Sequence, residues 1–160
     1  MAWNSTTLPG AQIATVDSAR VFPLGATCCA RNTTSGYEGE FIYMQGVASN
    51  ATGLFCQLNY DNGVVSLLAD GAIGGVGVSM GAIVASTFGW FQIRGKASGF
   101  LAASVADNAG LYINAAGIGQ ATASGKSEII GARAAAASGS SAALTEVELH
   151  YPTCGLSAAA

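Results

Sequence analysis

Short apolar runs separated by Gly, Asn, Asp and Ser recur from Tyr37 onward, at intervals of about 8 to 12 residues. A parallel α/β sheet would instead show strands alternating with longer helical patterns. The spacing therefore predicts an all-β protein, built as a compact antiparallel β-sandwich or barrel. The predicted strands cover residues 40–45, 54–60, 64–68, 76–85, 90–97, 111–114 and 145–151.

Two of these strands alternate with the period of two that is expected of a half-buried strand. In residues 90–97 one face carries Trp90, Gln92, Arg94 and Lys96, and the other carries Phe91, Ile93, Gly95 and Ala97. In residues 145–151 the inward side chains are Val147, Leu149 and Tyr151, and the outward ones are Glu146, Glu148 and His150. We expect the two glutamates to face Arg94 and Lys96 across paired strands.

The strand at residues 40–45 differs, because Phe41, Ile42, Tyr43 and Met44 make it apolar on both faces. Such a strand must be covered on both sides, either inside a sandwich or by a neighbouring subunit.

Further along, the run 61–63 reads Asp-Asn-Gly, which predicts a hairpin turn since Asn and Gly accept positive φ angles.

The predicted domain organisation is an arm, a core and a tail. Residues 1–20 lack periodicity and contain Pro9-Gly10, so we expect an extended N-terminal arm. Residues 21–152 form the β-rich core, and residues 153–160 form a flexible tail. The alanine-rich run 131–137 is interpreted as a strand that continues residues 128–130, with a short helix as the alternative.

Composition narrows the classes of function. Only 9% of residues are charged, against a usual ~25%, while 51% are hydrophobic and 22 are glycine. A folded subunit of this kind can pack closely against partners without burying unpaired ions. The net charge of −3 and the scattered basic residues provide no stripe for phosphates, so nucleic acid is not an expected partner.

The N-terminus lacks a basic region followed by an apolar run, so we expect synthesis in a cytosol. Cysteines are reduced in that compartment, and their spacing fits neither a redox motif nor a zinc site. We expect all four to be small buried hydrophobes, with late oxidation as the alternative: Cys28, Cys29, Cys56 and Cys154. The uncharged stretch 71–93 contains too many glycines for a membrane helix, so no membrane partner is expected.

One motif suggests catalysis. Residues 77–81 match Gly-x-Ser-x-Gly, and Ser79, Asp107 and His150 follow in the order of α/β hydrolases. That motif needs a strand, a sharp turn and a helix, whereas the residues after Ser79 read as strand and turn. His150 is the single histidine, and its position beside two glutamates is typical of a solvated strand face. We therefore expect no catalytic, cofactor or metal site, and no enzyme activity.

Five segments resemble the head decoration, or capsid cement, proteins of tailed bacteriophages: residues 37–48, 89–97, 105–112, 129–132 and 145–149. The most specific is Gly-Trp-Phe-Gln-Ile-Arg-Gly-Lys-Ala at 89–97. The resemblance implies a β-rich virion structural protein, usually trimeric, that binds outside an icosahedral shell and clamps adjacent major capsid subunits. It would lie on the outer surface of the virion after synthesis in the host cytoplasm.

The expected partners are thus the major capsid protein and further copies of the chain as a homotrimer. The arm and the doubly apolar strand would supply the contacts, together with one tryptophan from the strand at residues 90–97. The predicted interface residues are Trp3, Leu8, Ile13, Val16, Phe41, Tyr43, Met44 and Trp90. The alternative is a trimeric adhesion or glycan-binding module at a virion vertex or fibre, which requires an exposed aromatic such as Trp90.

Overall fold

The computed structural model describes residues 3–114 and 116–155 and shows an all-β protein, as predicted. Within these residues there is no helix, and eleven strands form one large sheet. A division into a sandwich or a barrel is not confirmed. The strands are β1 (Trp3–Ser5), β2 (Thr27–Asn32), β3 (Glu38–Gln45), β4 (Phe55–Gln57), β5 (Ser66–Leu67), β6 (Gly74–Ser79), β7 (Phe88–Leu101), β8 (Gly110–Ile113), β9 (Gly119–Gln120), β10 (Glu128–Ala134) and β11 (Ala143–Cys154).

The sheet is organised around β7, which has 14 residues. Its first half pairs with β3 and β6, and its second half pairs with β11 and β9. The pairings run from β7 through β9, β8, β10 and β11 back to β7, so the hydrogen-bonded ladder of these five strands closes on itself. The short strands β1 and β5 stand at the two ends of the strand order.

The predicted burial of β3 on both faces is confirmed, and the same chain supplies the cover. Ile42 and Met44 pack into a cluster with Phe91 of β7. On the other face, Phe41 and Tyr43 pack with Trp90. A third apolar cluster includes residues of β7, β8, β10 and β11, which are four of the five strands whose ladder closes on itself.

The extended N-terminal arm is not confirmed. β1 pairs with β2, and the chain that follows packs back over β3, where Ala11 and Ile13 are buried. The Trp3 ring meets the Phe41 ring edge-on, with the centroids 5.0 Å apart. Residues 3–17, which we call the N-terminal segment, therefore help to cover one face of the core of their own chain.

Several predicted strands are shorter in the structure. Residues 54–60 and 64–68 yield only β4 and β5, which pair as a hairpin around the predicted turn. The loop is longer than two residues because Val64 bridges to Gln45 of β3 instead of joining β5. Gly63 has a φ of 70°, as the turn prediction requires, but Asn62 does not have the positive φ that the prediction also assigned to it.

The half-buried interpretation of residues 90–97 is wrong for the first half of that stretch. Trp90, Phe91, Gln92 and Ile93 are all buried, because separate apolar clusters cover the two faces of β7 here. The predicted alternation of buried and exposed side chains holds in β7 only after Ile93, where Arg94 and Lys96 are partly exposed and Ala97 is buried.

In β11 the inward positions of Val147 and Leu149 are confirmed, but the inward position of Tyr151 is wrong. Residues 150–152 oppose Gly131 alone, because the register passes from Ala132–Leu149 to Ile130–Thr153. This bulge shifts the alternation by one residue, so Tyr151 turns outward.

The alanine-rich run does continue a strand, since β10 reaches Ala134. Thr153 and Cys154, which the sequence placed in the tail, belong to β11, while residues 156–160 of that tail lie outside the described residues. The described ranges include no helix that is long and apolar enough to cross a membrane.

Candidate interaction face

The outward surfaces of β3, β7, β10 and β11 gather three of the six basic and four of the nine acidic residues of the chain. We call this surface the charged face. Its members are Glu38, Glu40, Arg94, Lys96, Arg133, Glu146, Glu148 and His150. A cleft of about 410 Å³ crosses it, lined by residues of β3, β7 and β11 together with Tyr37.

Strand register explains how these charges meet. β7 and β11 are antiparallel, which places Glu148 opposite Lys96. The Lys96 ammonium nevertheless bonds diagonally to Glu146, with Nζ 2.8 Å from Oε1. Glu148 bonds in the other direction, to Arg133 of β10, at 2.6 Å.

The predicted pairing across β7 and β11 is therefore confirmed for Lys96 and Glu146 only. Arg94 pairs instead with Glu40 of β3, with Nε 3.5 Å from Oε2. Exposed ion pairs of this kind each contribute only about 0–1 kcal/mol to stability. Their main effect is to hold the side chains in fixed orientations.

The pKa shifts on this face follow from the same contacts. The hydrogen bond to Glu146 raises the pKa of Lys96, whose ammonium also lies 5.0 Å from the centroid of the Tyr37 ring. Partial burial lowers the pKa of Arg94, but Tyr151 and Glu40 outweigh it, and the net shift is upward. Both cations are therefore charged at neutral pH.

Exposed apolar side chains adjoin the charged face at the β11 bulge. Tyr60, Ile130 and Tyr151 are 64%, 57% and 50% exposed, and we call them the apolar patch. Tyr60 and Tyr151 line one groove of about 140 Å³, together with Thr153. Ile130 lies directly across from Thr153 in the β10–β11 pair, so the three side chains surround one stretch of β11.

Tyr151 is held in place by its backbone and by its hydroxyl. Its φ of 46° lies in the left-handed region, which a bulky residue adopts at a cost. The phenol donates a 2.6 Å hydrogen bond to Glu40, and this bond raises the pKa of Tyr151. The ring thus joins the apolar patch to the charged face.

The structure does not assemble the hydrolase motif. Ser79 is buried, and its hydroxyl donates to the Gly81 carbonyl at 2.6 Å and accepts from Asn50 at 3.0 Å. The chain around it is strand β6 and a loop, with no helix behind the serine. His150 stands on the exposed side of β11, opposite Arg94. In this setting the Ser79 hydroxyl fastens the loop after β6.

Six of the eight residues predicted for an interface come together, but inside one chain. Trp3, Leu8, Ile13, Phe41, Tyr43 and Trp90 share the cluster beneath the N-terminal segment. Met44 is buried on the opposite face of β3, and Val16 is exposed. Their role between subunits stays a prediction. Trp90 is buried, so it offers no exposed aromatic for a glycan in this conformation.

The apolar patch was missed by sequence reasoning, since simple alternation placed Tyr151 in the core. One signal was present, because a glycine inside a strand often marks a bulge. Gly131 has a φ of 81°, and a Cβ there would lie 2.7 Å from the His150 carbonyl oxygen. Only glycine therefore fits opposite the bulge.

The four cysteines are free thiols. Cys28, Cys56 and Cys154 are buried, as expected, while Cys29 is partly exposed. Burial raises the pKa of Cys28 to about 11 and that of Cys56 to about 12. Across residues 3–114 and 116–155, no group of three or more His, Cys, Asp or Glu side chains could hold a metal ion.

Comparison with protein-family models, with curated proteins and with solved structures finds no match.

Proposed function

We propose that this protein is a virion structural protein that decorates and cements an icosahedral phage capsid by bridging adjacent major capsid subunits. The observation that carries the proposal is the apolar patch beside the charged face. Tyrosine and arginine are enriched where proteins meet, and contiguous exposed apolar side chains mark interaction surfaces. The sequence resemblance supplies the kind of partner, a shell of major capsid subunits.

The charged face suits docking because most of its ions already have partners. A surface whose carboxylates and cations bond to each other can be covered without leaving an unpaired charge. Tyr60, Tyr151 and Ile130 would supply apolar burial, while the fixed ion pairs would restrict which surface can fit against them.

In this proposal the protein holds the shell together because it dissociates from the capsid subunits slowly. The resemblance implies a homotrimer on the outer surface of the shell, and several linked copies would raise the overall avidity by about 10² to 10⁴ over one contact, where the spacing matches. The proposal requires neither a cofactor nor a chemical step.

The test is binding to undecorated shells of the phage whose genome encodes the chain. We expect saturable, stoichiometric binding, weakened at least about tenfold by Tyr60→Ser or Ile130→Ser, since each removes buried apolar area. Val84→Ser is the matched control, because Val84 is also exposed but lies in the loop between β6 and β7.

Equal binding by the patch variants and the control would exclude the apolar patch as the docking surface. Absence of shell binding by the wild-type protein, together with binding to glycans or cells, would replace the proposal with the adhesion alternative.

A further inference from the structure

A cavity of about 210 Å³ lies where the N-terminal segment meets the rest of the chain. The segment lines it with the side chains of Gln12, Thr15 and Asp17, and the chain beyond lines it with Val21, Phe22 and Trp90. Thr15 and Val21 are exposed, so the cavity opens to solvent. Its volume equals that of about seven water molecules, at roughly 30 Å³ each, and is below the roughly 300–1,000 Å³ of sites for drug-sized ligands. The cavity therefore suits a small molecule.

The carboxylate in this cavity has no counter-ion. Asp17 is half-buried, and its Oδ2 accepts a 2.6 Å hydrogen bond from the Tyr43 hydroxyl, while its Oδ1 bonds to none of the described residues. No lysine, arginine or histidine lines the cavity, and none of those in the described ranges forms an ion pair with Asp17. A carboxylate withdrawn from water is stabilised by a cation, so the cavity favours a positively charged ligand.

The indole N–H of Trp90 is a second group without a partner. Trp90 is 1% exposed, and its N–H donates to no other residue in the described part of the chain. In those same residues Gln92 Oε1 is the one fully enclosed side-chain N or O atom that lacks a partner. The Trp90 N–H is thus not fully enclosed, and the space that Trp90 lines is this cavity. A ligand there should carry a hydrogen-bond acceptor.

The remaining wall is apolar and aromatic. The Phe22 and Trp90 rings pack against each other, with centroids 5.4 Å apart, and Val21 adds an aliphatic side chain. Aromatic side chains attract organic cations, and quaternary ammonium groups are a recurrent ligand of such surroundings. A primary ammonium is strongly hydrated, whereas a quaternary one presents methyl groups that an apolar wall can contact. The surroundings of Asp17 therefore favour the quaternary ion.

We propose that this cavity binds a quaternary ammonium alcohol of the choline type. The ammonium lies beside the Asp17 carboxylate, its methyl groups contact Val21 and Phe22, and its hydroxyl oxygen accepts a hydrogen bond from the Trp90 N–H. Binding uses neither the charged face nor the apolar patch. The site therefore goes beyond the proposed function, and either can fail without the other.

The experiment titrates choline chloride into ¹⁵N-labelled protein at low salt, without shells, and follows the indole N–H signals by NMR. The chain has two tryptophans, and only Trp90 lines the cavity. We expect a saturable shift of the Trp90 signal, little change at Trp3, and a dissociation constant of about 1 mM or below.

Two analogues separate the parts of the ligand. The neutral alcohol 3,3-dimethylbutan-1-ol keeps the shape of choline without its charge, and should bind at least about tenfold more weakly. Tetramethylammonium keeps the charge without the hydroxyl, and should bind about fivefold more weakly.

Two variants locate the site. Asp17→Asn removes the charge, keeps an oxygen for Tyr43, and should weaken choline binding at least about tenfold. Val21→Lys supplies a competing ammonium, because the Val21 N–H and the Asp17 carboxylate both bond to the Tyr43 hydroxyl, at 3.2 and 2.6 Å. It should weaken binding equally without lowering the Tm, since Val21 is 62% exposed. Ile73→Lys is the matched control, equally exposed on the loop before β6, and should bind choline as the wild type does.

A wild-type protein whose Trp90 signal shows no saturable shift would overturn the proposal. Equal binding of choline and the neutral alcohol would remove the role of Asp17, and equal binding by the two lysine variants would show that choline does not occupy this cavity. Either result would also contradict the proposal.

Discussion

The hydroxyl of Tyr43 lies at the point where the N-terminal segment is fastened to β3. It donates a 2.6 Å hydrogen bond to the Asp17 carboxylate and accepts a 3.2 Å bond from the Val21 backbone N–H. Tyr43→Phe removes both bonds and keeps the buried ring. A hydrogen bond to a charged group contributes about 1.5–3 kcal/mol, and Val21 is exposed enough for water to replace its partner. We expect a loss of about 2 kcal/mol in the free energy of unfolding.

That loss corresponds to a fall in Tm of about 4–8 °C for a chain of this size. Urea unfolding and thermal unfolding at one protein concentration measure it. Tyr60→Phe is the matched control, because its ring is exposed, and the change should stay within about 0.5 kcal/mol. A Tyr43→Phe protein as stable as that control would refute the reasoning.

The same bond predicts a dependence on pH. Burial, reinforced by the hydrogen bond to Asp17, raises the pKa of Tyr43 from 10.0 to about 12. The folded state therefore holds the phenol proton more tightly than the unfolded state does. This contribution to stability is complete below pH 10 and is lost as the pH rises through 12. The stability difference between wild type and Tyr43→Phe should shrink across that window, and a constant difference would contradict the assignment.

Two further predictions concern buried positions. Gly46→Ala should prevent stable folding, because a Cβ at Gly46 would collide with the Ile83 carbonyl, whereas Gly139→Ala meets open space and should leave the Tm unchanged. Thiol alkylation at pH 8 should modify the partly exposed Cys29 well before Cys56, since burial raises the pKa of Cys56 to about 12. Mass spectrometry of the digested protein measures the order, and earlier modification of Cys56 would show that its strand opens readily.

Much of the strand content could be predicted, because it depends on local patterns. Four consecutive apolar residues marked β3 as covered on both faces, and alternation placed Val147 and Leu149 inside. The contact of Lys96 with Glu146 followed from the same alternation, once β7 and β11 were assumed to pair. These features need only the period of a strand and the polarity of its residues.

What could not be predicted depends on contacts between distant parts of the chain. Residues 3–17, whose widely spaced apolar side chains show no periodicity of their own, share with Phe22 the cover over the cluster that contains Trp90. The outward turn of Tyr151 depends on a register shift against Gly131 in another strand. Alternation within one strand contains no information about either contact.

The ends of the sheet have a consequence for a protein with so few charges. β1 and β5, the terminal strands, have three and two residues, and the longer strands lie between neighbours. Aggregation through strand addition needs a long, flat, unpaired border, and such short ones offer few backbone groups to an incoming strand. Crowded copies would therefore resist fibril-like growth through their topology, with little need of the charged edge residues that other sheets use.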